Sequence, residues 1–331
     1  MKIGNNKIIF NKYKIRKLLY KSMLSTVYEG LNINDKEPVA IKFERVSEEN
    51  FLKAEAFFLL TLKGFGIPKI LSFGKNNTYN ILVEELLGLS IFNLWKQKKL
   101  DMDVKIKNVC MIALQALDRL EYIHSKNIIH RDIKPSNFLI GRKNREIIYL
   151  IDFGFANLYR NSRTGKHIKY GSINCLYGSI FYNSINANKG YEQSRKDDLE
   201  SLGHMLIYLA LNYLPWGNVF NNNSINEEAK LRLLLQIKSS TTPEKLCNGL
   251  PKEFTSFIKY CRNLEFEQEP NYYYLKSLFT NILSKIPQKA ALFFFWKVNK
   301  PLKCNELKSA EVSRHIKKIL KKSLIKALIS L

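Results

Sequence analysis

Cysteine is scarce in this chain of 331 residues. There are five, at 110, 175, 247, 261 and 304, odd in number, widely spaced and without a C-x-x-C pair. That argues against a disulfide framework and a zinc ribbon and favours a reducing, intracellular compartment, cytoplasm or nucleus. Long apolar runs are missing too. Ala290–Trp296 is among the longest, far short of the roughly 20 residues that cross a bilayer, so no transmembrane segment is expected. The opening stretch MKIGNNKIIFNKYK has no apolar core of the signal-peptide kind. Acids are outnumbered: 29 Asp and Glu face 53 Lys and Arg, a formal net charge of +24. This excess favours acidic partners without choosing among nucleic acid, anionic membrane, nucleotide phosphate and acidic protein. No internal repeat is evident, and no low-complexity tract beyond Asn221–Asn223. What remains is 46% apolar and 25% charged, a composition that can bury a core over about two domains.

The first part of the chain reads as strands with one helix. Tyr13–Leu19, Thr26–Gly30 and Pro38–Phe43 are short, β-rich and punctuated by Asn, Asp and Pro. Ser47–Leu62 has helical spacing of Phe51, Leu52, Phe58, Leu59 and Leu62, with Ser47 as a cap-like start. Ile67–Phe73 and Tyr79–Leu87 alternate as strands again. After Gly88 helices dominate: Val104–His124, Leu199–Leu211, Thr255–Leu264 and Tyr274–Leu283. The plan is therefore α+β, with a hinge expected at Glu85–Gly88. Residues 284–331 stand apart, with 12 basic and 2 acidic residues. There Ile316, Ile319, Leu320, Leu324, Ala327, Leu328 and Leu331 share a helical face ringed by lysines. Such a helix packs back on its domain, or lies on an acidic partner or anionic surface.

The chemistry concentrates in His130-Arg131-Asp132-Ile133-Lys134-Pro135-Ser136-Asn137, followed downstream by Asp152-Phe153-Gly154. This is the H-R-D-x-K-P-x-N and D-F-G pattern of phosphoryl transfer. Asp132 can align and accept a proton from an attacking hydroxyl, and Lys134 can reach the transferring phosphate. Asn137 and Asp152 offer hard oxygen ligands of the kind Mg²⁺ prefers. Upstream, Val39-Ala40-Ile41-Lys42 places a lysine in an apolar strand, where it needs a partner. Glu55 in the expected helix is the natural one, while Glu48 and Glu49 read as first-turn acids.

Further segments carry a family likeness. They include Gly66-Ile67-Pro68, Glu85-Leu86-Leu87-Gly88 and Glu121-Tyr122-Ile123-His124-Ser125-Lys126-Asn127. Beyond the catalytic loop come Ser184-Ile185-Asn186 in the place of Ala-Pro-Glu, the run from Glu192 through Gly203, and Leu214-Pro215-Trp216. From about Tyr13 to Leu283 the chain resembles eukaryotic protein kinases, and among them the casein kinase 1 family. The resemblance implies a bilobal fold: a small β-rich lobe over 1–87, a larger helical lobe over 88–283, and a basic tail over 284–331. It implies a serine/threonine kinase that uses ATP and Mg²⁺ on protein hydroxyls. Leu19, Val27, Ala40, Glu85 and Leu87 would then bind the nucleotide with Lys42 and Glu55. Asp198 would anchor the catalytic loop, and Ser179 of the activation segment would bond Asp132 and Lys134.

Three departures stand out. The nucleotide-covering loop has Tyr20, Ser22 and Ser25 where the pattern has glycine, so the backbone is expected to approach phosphate less closely. Glu84 occupies the gatekeeper position, where an unpaired carboxylate is costly, and Lys42 is the expected cation beside it. Phe181 replaces the family's arginine that reads acidic or phosphorylated substrates. These departures feed one alternative, a pseudokinase scaffold. The net charge feeds another, a nucleic-acid binder, which no zinc, RNP-like or homeodomain motif supports. His124 and His204 read as packed or capping residues. His167 reads as solvated or helping to hold an anion, and Phe293–Trp296 as a packing anchor.

Overall fold

A computed structural model describes residues 6–47, 50–96, 100–173, 175–221, 224–286 and 294–296. The basic tail helix expected beyond residue 309, Cys304, Glu48 and Glu49 lie outside the described residues. The described residues pack as two compact units, one drawn from 1–89 and 139–156, the other from 90–138 and from the described residues after 156.

The first unit is a six-stranded antiparallel sheet. Its strands are β1 (Ile8–Ile9), β2 (Tyr13–Lys21), β3 (Ser25–Asn32), β4 (Pro38–Arg45), and, after helix α1 (Phe51–Thr61), β5 (Ile70–Lys75) and β6 (Tyr79–Glu85). Their order in the sheet is β1-β2-β3-β4-β6-β5. Side chains alternate across a strand, and one face of the sheet builds a core from Tyr13, Ile15, Tyr28, Val39, Ile41, Phe43, Ile81 and Val83. The other face carries Val27, Ala40, Lys42, Leu82 and Glu84. Lys42 pairs with Val27 on one side and Leu82 on the other, and Ala40 pairs with Glu84. β5 starts later than the alternation suggests because Gly66-Ile67-Pro68 forms a turn. Gly66 sits at φ +77°, and proline has no N–H to give a ladder. Ser47 does not cap α1, which begins at Phe51 after Asn50. Instead the carboxylate of Glu44 on β4 accepts the Leu52 N–H at 3.1 Å.

The segment 139–156 belongs to this unit through backbone bonds. Gly88 N donates to Ile140 O at 2.8 Å, Ile140 N to Leu89 O at 3.0 Å, and Leu150 N to Gly66 O at 2.9 Å. A β-carbon on Gly88 would press against Ile140.

The second unit is helical. It comprises α2 (Ile91–Lys96), α3 (Met102–Ser125), α4 (Ile185–Asn188), α5 (Arg195–Leu211), α6 (Glu227–Ser240), α7 (Pro243–Leu246), α8 (Lys252–Asn263) and α9 (Tyr272–Ser284). Helix α3 runs through its middle, with Val109, Ile112, Ala113, Ala116, Leu117 and Leu120 fully buried, and packs against α5 and α9. A short pair of strands, Ile128–Ile129 and Asn157–Leu158, flanks the catalytic loop. Helix α6 is absent from the sequence reading, although Asn226 caps it by accepting the Ala229 N–H at 2.8 Å. The aromatic run does anchor: Phe294 and Trp296 are buried, Phe295 lies edge-on to Trp95, and its N–H donates to Asn108 Oδ1 at 3.0 Å. Among the described residues no helix is long and apolar enough to cross a membrane.

Candidate active site

Two clusters carry the residues singled out above, one in each unit. In the first, Lys42 Nζ donates to Glu55 Oε2 at 2.6 Å and to Asp152 Oδ1 at 2.8 Å. Strand β4 delivers the lysine, α1 the glutamate, and the turn after Ile148–Leu150 the aspartate. Asp152 adopts φ +69°, a left-handed conformation that costs a non-glycine residue of order 1 kcal/mol or more and recurs at functional sites. Burial works against a charged Lys42, but Asp152 and Glu55 outweigh it and hold the ammonium protonated well beyond the usual lysine range.

The expected nucleotide-binding side chains distribute over the same unit. Val27 and Ala40 flank Lys42 on one sheet face. Leu19 sits in a bulge of β2 between Leu18 and Tyr20. Glu85 accepts the Lys69 N–H on Oε1 at 2.9 Å, and half-buried Leu87 follows β6. The glycine-free loop is a tight hairpin turn. Ser22 N donates to Ser25 O at 2.8 Å, and Ser22 Oγ accepts the Ser25 N–H at 3.0 Å. Ser22 thus spends its hydroxyl on its own hairpin, while Tyr20 is 52% exposed.

The expected pairing of Glu84 with Lys42 is not formed. The register sets Glu84 opposite Ala40, one pair along from Lys42, and the ammonium turns to Glu55 and Asp152 instead. Glu84 Oε2 is buried with no hydrogen-bond partner. Burial, then the charge of Glu55, push the Glu84 carboxyl up to about 8, so near neutrality it keeps its proton. A carboxyl whose folded pKa is raised supports the fold fully below its unfolded value near 4.5. That support drains away as pH rises through about 8. Glu84→Gln, which cannot ionise, is therefore expected to match wild type near pH 5. It should melt at least roughly 2 °C higher at pH 9. Parallel melting curves across that range would refute the assignment.

The second cluster is the catalytic loop. Asp132 is 1% exposed. Its Oδ2 accepts Lys134 Nζ at 2.5 Å and Asn137 Nδ2 at 3.1 Å, and its backbone carbonyl accepts the same amide at 2.9 Å. Oδ1 is buried and has no hydrogen-bond partner. Pro135–Asn137 forms a single 3₁₀ turn, which brings Asn137 back over Asp132. Beneath the loop, Asp198 of α5 accepts from the backbone N–H of His130 at 2.8 Å and of Arg131 at 2.9 Å. The other face of that carboxylate meets His124 Nε2 at 2.9 Å, and His124 Nδ1 lies 2.5 Å from the Tyr272 hydroxyl.

The activation segment closes on this loop at Gly178, whose φ is +83° and where a β-carbon would strike the Arg131 carbonyl. Ser179 lies next to it, but its hydroxyl bonds neither Asp132 nor Lys134. Its carbonyl takes the Tyr182 and Asn183 N–H groups at 2.8 and 3.0 Å. Phe181 packs edge-on against Tyr182 and Tyr208. Two supports escaped the sequence reading. Glu44 joins α1 to β6 through Leu52 and Asn80. Fully buried Lys238 donates to the carbonyls of Ile180 at 3.1 Å and Asn183 at 2.7 Å. The only sequence signal for Lys238 is its helical spacing from buried Leu234.

A strand lysine paired to a helix glutamate, and an aspartate loop clamped from a buried helix, define the protein kinase class. The family model for the protein kinase domain matches residues 13–278. Casein kinase I homolog 2 of Schizosaccharomyces pombe is 39% identical over 278 residues, 82% of this chain. The chain belongs to the casein kinase 1 family of eukaryotic protein kinases. It spans 62% of the length of that curated relative.

Proposed function

We propose that the protein is a serine/threonine kinase that transfers the ATP γ-phosphate to hydroxyls of protein substrates. The observation that carries this reading is Lys42 held between Glu55 and Asp152, since phosphoryl transfer in protein kinases needs that ion pair and the D-F-G aspartate in place together. The lobe division at 87/88 and the separate basic tail belong to the same proposal, as do protein substrates of acidic character.

The donor set fits a magnesium nucleotide. Asp152 offers carboxylate oxygen. Asn137 turns its amide nitrogen to Asp132, which leaves its amide oxygen for a cation, and both are hard donors suited to Mg²⁺. When bound, Mg-ATP supplies the electrophilic phosphorus and the leaving group. Lys42 steadies the phosphates, with Val27, Ala40, Leu19, Glu85 and Leu87 about the base. Asp132 keeps Oδ2 occupied by Lys134 and Asn137, so Oδ1 is the free acceptor for the proton of an incoming hydroxyl. Lys134, on a partly exposed side chain, spreads the charge that develops on the transferred group. Ser179 adds a hydroxyl beside that loop. The reading is tested by phosphate transfer from radiolabelled ATP to casein by the purified chain. Absence of transfer under saturating Mg-ATP would overturn it.

The glycine-free turn bears on affinity rather than chemistry. Side chains at Tyr20, Ser22 and Ser25 keep the backbone off the phosphates, so KM for ATP is expected to be raised about tenfold, or about 1.4 kcal/mol of binding. Glycine at all three positions should lower KM with little change in kcat. Initial rates against ATP concentration decide it, and an unchanged or higher KM in the glycine variant would show that the turn is not limiting.

A further inference from the structure

Arg160 and His167 face each other as an isolated antiparallel bridge at the base of a hairpin in the second unit. The hairpin is well built. Gly165 N donates to Asn161 O at 2.9 Å, and Asn161 Oδ1 accepts the Arg163 and Thr164 N–H groups, each at 2.9 Å. Arg160, Gly165, Lys166, His167 and Glu267 line a pocket of about 350 Å³.

Two nitrogens of that lining, Arg160 Nε and His167 Nε2, are buried without a hydrogen-bond partner. A third cation supports them. Arg195, 4% exposed, stacks on Tyr159 at 4.6 Å, and the Tyr159 ring lies 5.3 Å from His167. Arg195 Nη2 donates to the Glu267 carbonyl at 2.8 Å, while its own Nε is also unpaired. Arg160 Nε and Arg195 Nε are fixed donors; buried donors are nearly always satisfied in folded proteins, and a pair of them left open calls for an acceptor.

The histidine states which kind. His167 Nδ1 lies 2.8 Å from the Ile168 carbonyl. A carbonyl can only accept, so the ring proton sits on Nδ1. Nε2 becomes a donor only when the ring takes a second proton. Arg160, Lys166 and His167 line the pocket with one acidic residue, Glu267, an excess that disfavours a metal cation, and among the described residues no metal-binding cluster exists. An arginine fork and an ammonium suit an oxyanion of two charges.

We propose that this pocket binds a doubly charged oxyanion of the phosphate type, through Arg160 and doubly protonated His167, with Lys166 at its mouth. None of Arg160, Lys166 and His167 is among the residues assigned to phosphoryl transfer.

The test is calorimetry of the full chain at constant ionic strength, with sulfate, inorganic phosphate and a phosphoserine peptide. Arg160→Gln and His167→Gln are each expected to weaken sulfate about tenfold. Glu267→Gln removes the one acidic charge among the lining residues and is expected to tighten binding about threefold, a gain that a folding defect cannot mimic. Lys75→Gln, which removes one charge from β5, should leave binding unchanged. Tighter binding of the phosphoserine peptide than of inorganic phosphate would assign the pocket to a phosphorylated chain, and equal affinity to the free ion. The proposal fails if sulfate does not bind up to about 50 mM. It also fails if Lys75→Gln weakens binding as much as Arg160→Gln, or if Glu267→Gln has no effect.

Discussion

Asp132→Asn is expected to lower kcat by about 10²-fold or more, the usual size of a general-base contribution, with the protein still folded. The carboxylate is divided in its duties. Oδ2 is engaged by Lys134 and Asn137, and Oδ1 is the buried acceptor without a partner. Asparagine keeps the shape but must turn its NH₂ one way or the other. Toward Lys134 it meets a cation and another amide N–H, and the local cluster loosens. Toward the substrate side it offers a donor where an acceptor is needed. The nucleotide contacts proposed for Lys42 lie outside this change, so KM for ATP should hold, which is the pattern of an interaction made only in the transition state. Steady-state rates on casein with circular dichroism as the folding check decide the matter. Turnover like wild type in the purified variant would remove Asp132 from the mechanism.

Asp198→Ala is expected to be the most damaging single change in the helical unit, lowering unfolding free energy by about 3–5 kcal/mol, as loss of a buried carboxylate that satisfies several buried donors does. Asp198 is 2% exposed and takes the N–H groups of His130 and Arg131 and the ring of His124. Burial works against its charge, but these bonds hold the carboxyl below the usual aspartate value. Arg131 is itself strained at φ +64°. Its guanidinium stacks on Tyr177 at 4.3 Å and lies 3.7 Å from Glu192. Alanine leaves two backbone donors orphaned, each worth about 1–3 kcal/mol, and frees Arg131 to relax. Asp132 follows it in the chain, so kcat should fall with stability. Urea titration measures the first effect and casein phosphorylation at low temperature the second. Asp198→Asn is the conservative check, since it can still accept one N–H and should recover part of the stability. An alanine variant as stable as wild type would show that the loop holds its own shape.

Local residue chemistry already determined much of this protein. The octet His130–Asn137, Asp152-Phe153-Gly154 and Lys42 with Glu55 pointed to phosphoryl transfer, because few residue types can offer a proton acceptor, oxygen ligands and a phosphate cation in that order. Alternation along β4 and β6 and the spacing of α3 were readable for the same reason: burial of one face leaves a period in the sequence. Helix α1 starts later than a Ser47 cap implies, because its first turn is capped by Glu44 of β4 rather than by a neighbour in sequence. Only the tertiary structure decided the partners of side chains brought together from distant segments. Lys42 bonds Glu55 and Asp152 and leaves Glu84 unpaired, because strand register puts Glu84 opposite Ala40. Ser22 closes its own turn, because the hairpin offers it N–H groups at bonding distance. Lys238 reaches the carbonyls of the activation segment from a helix that sequence reading had not placed. Arg160 and His167 share a pocket because a hairpin folds one back on the other. Composition and spacing report what a residue can do; which donor meets which acceptor is set by how strands register and helices pack.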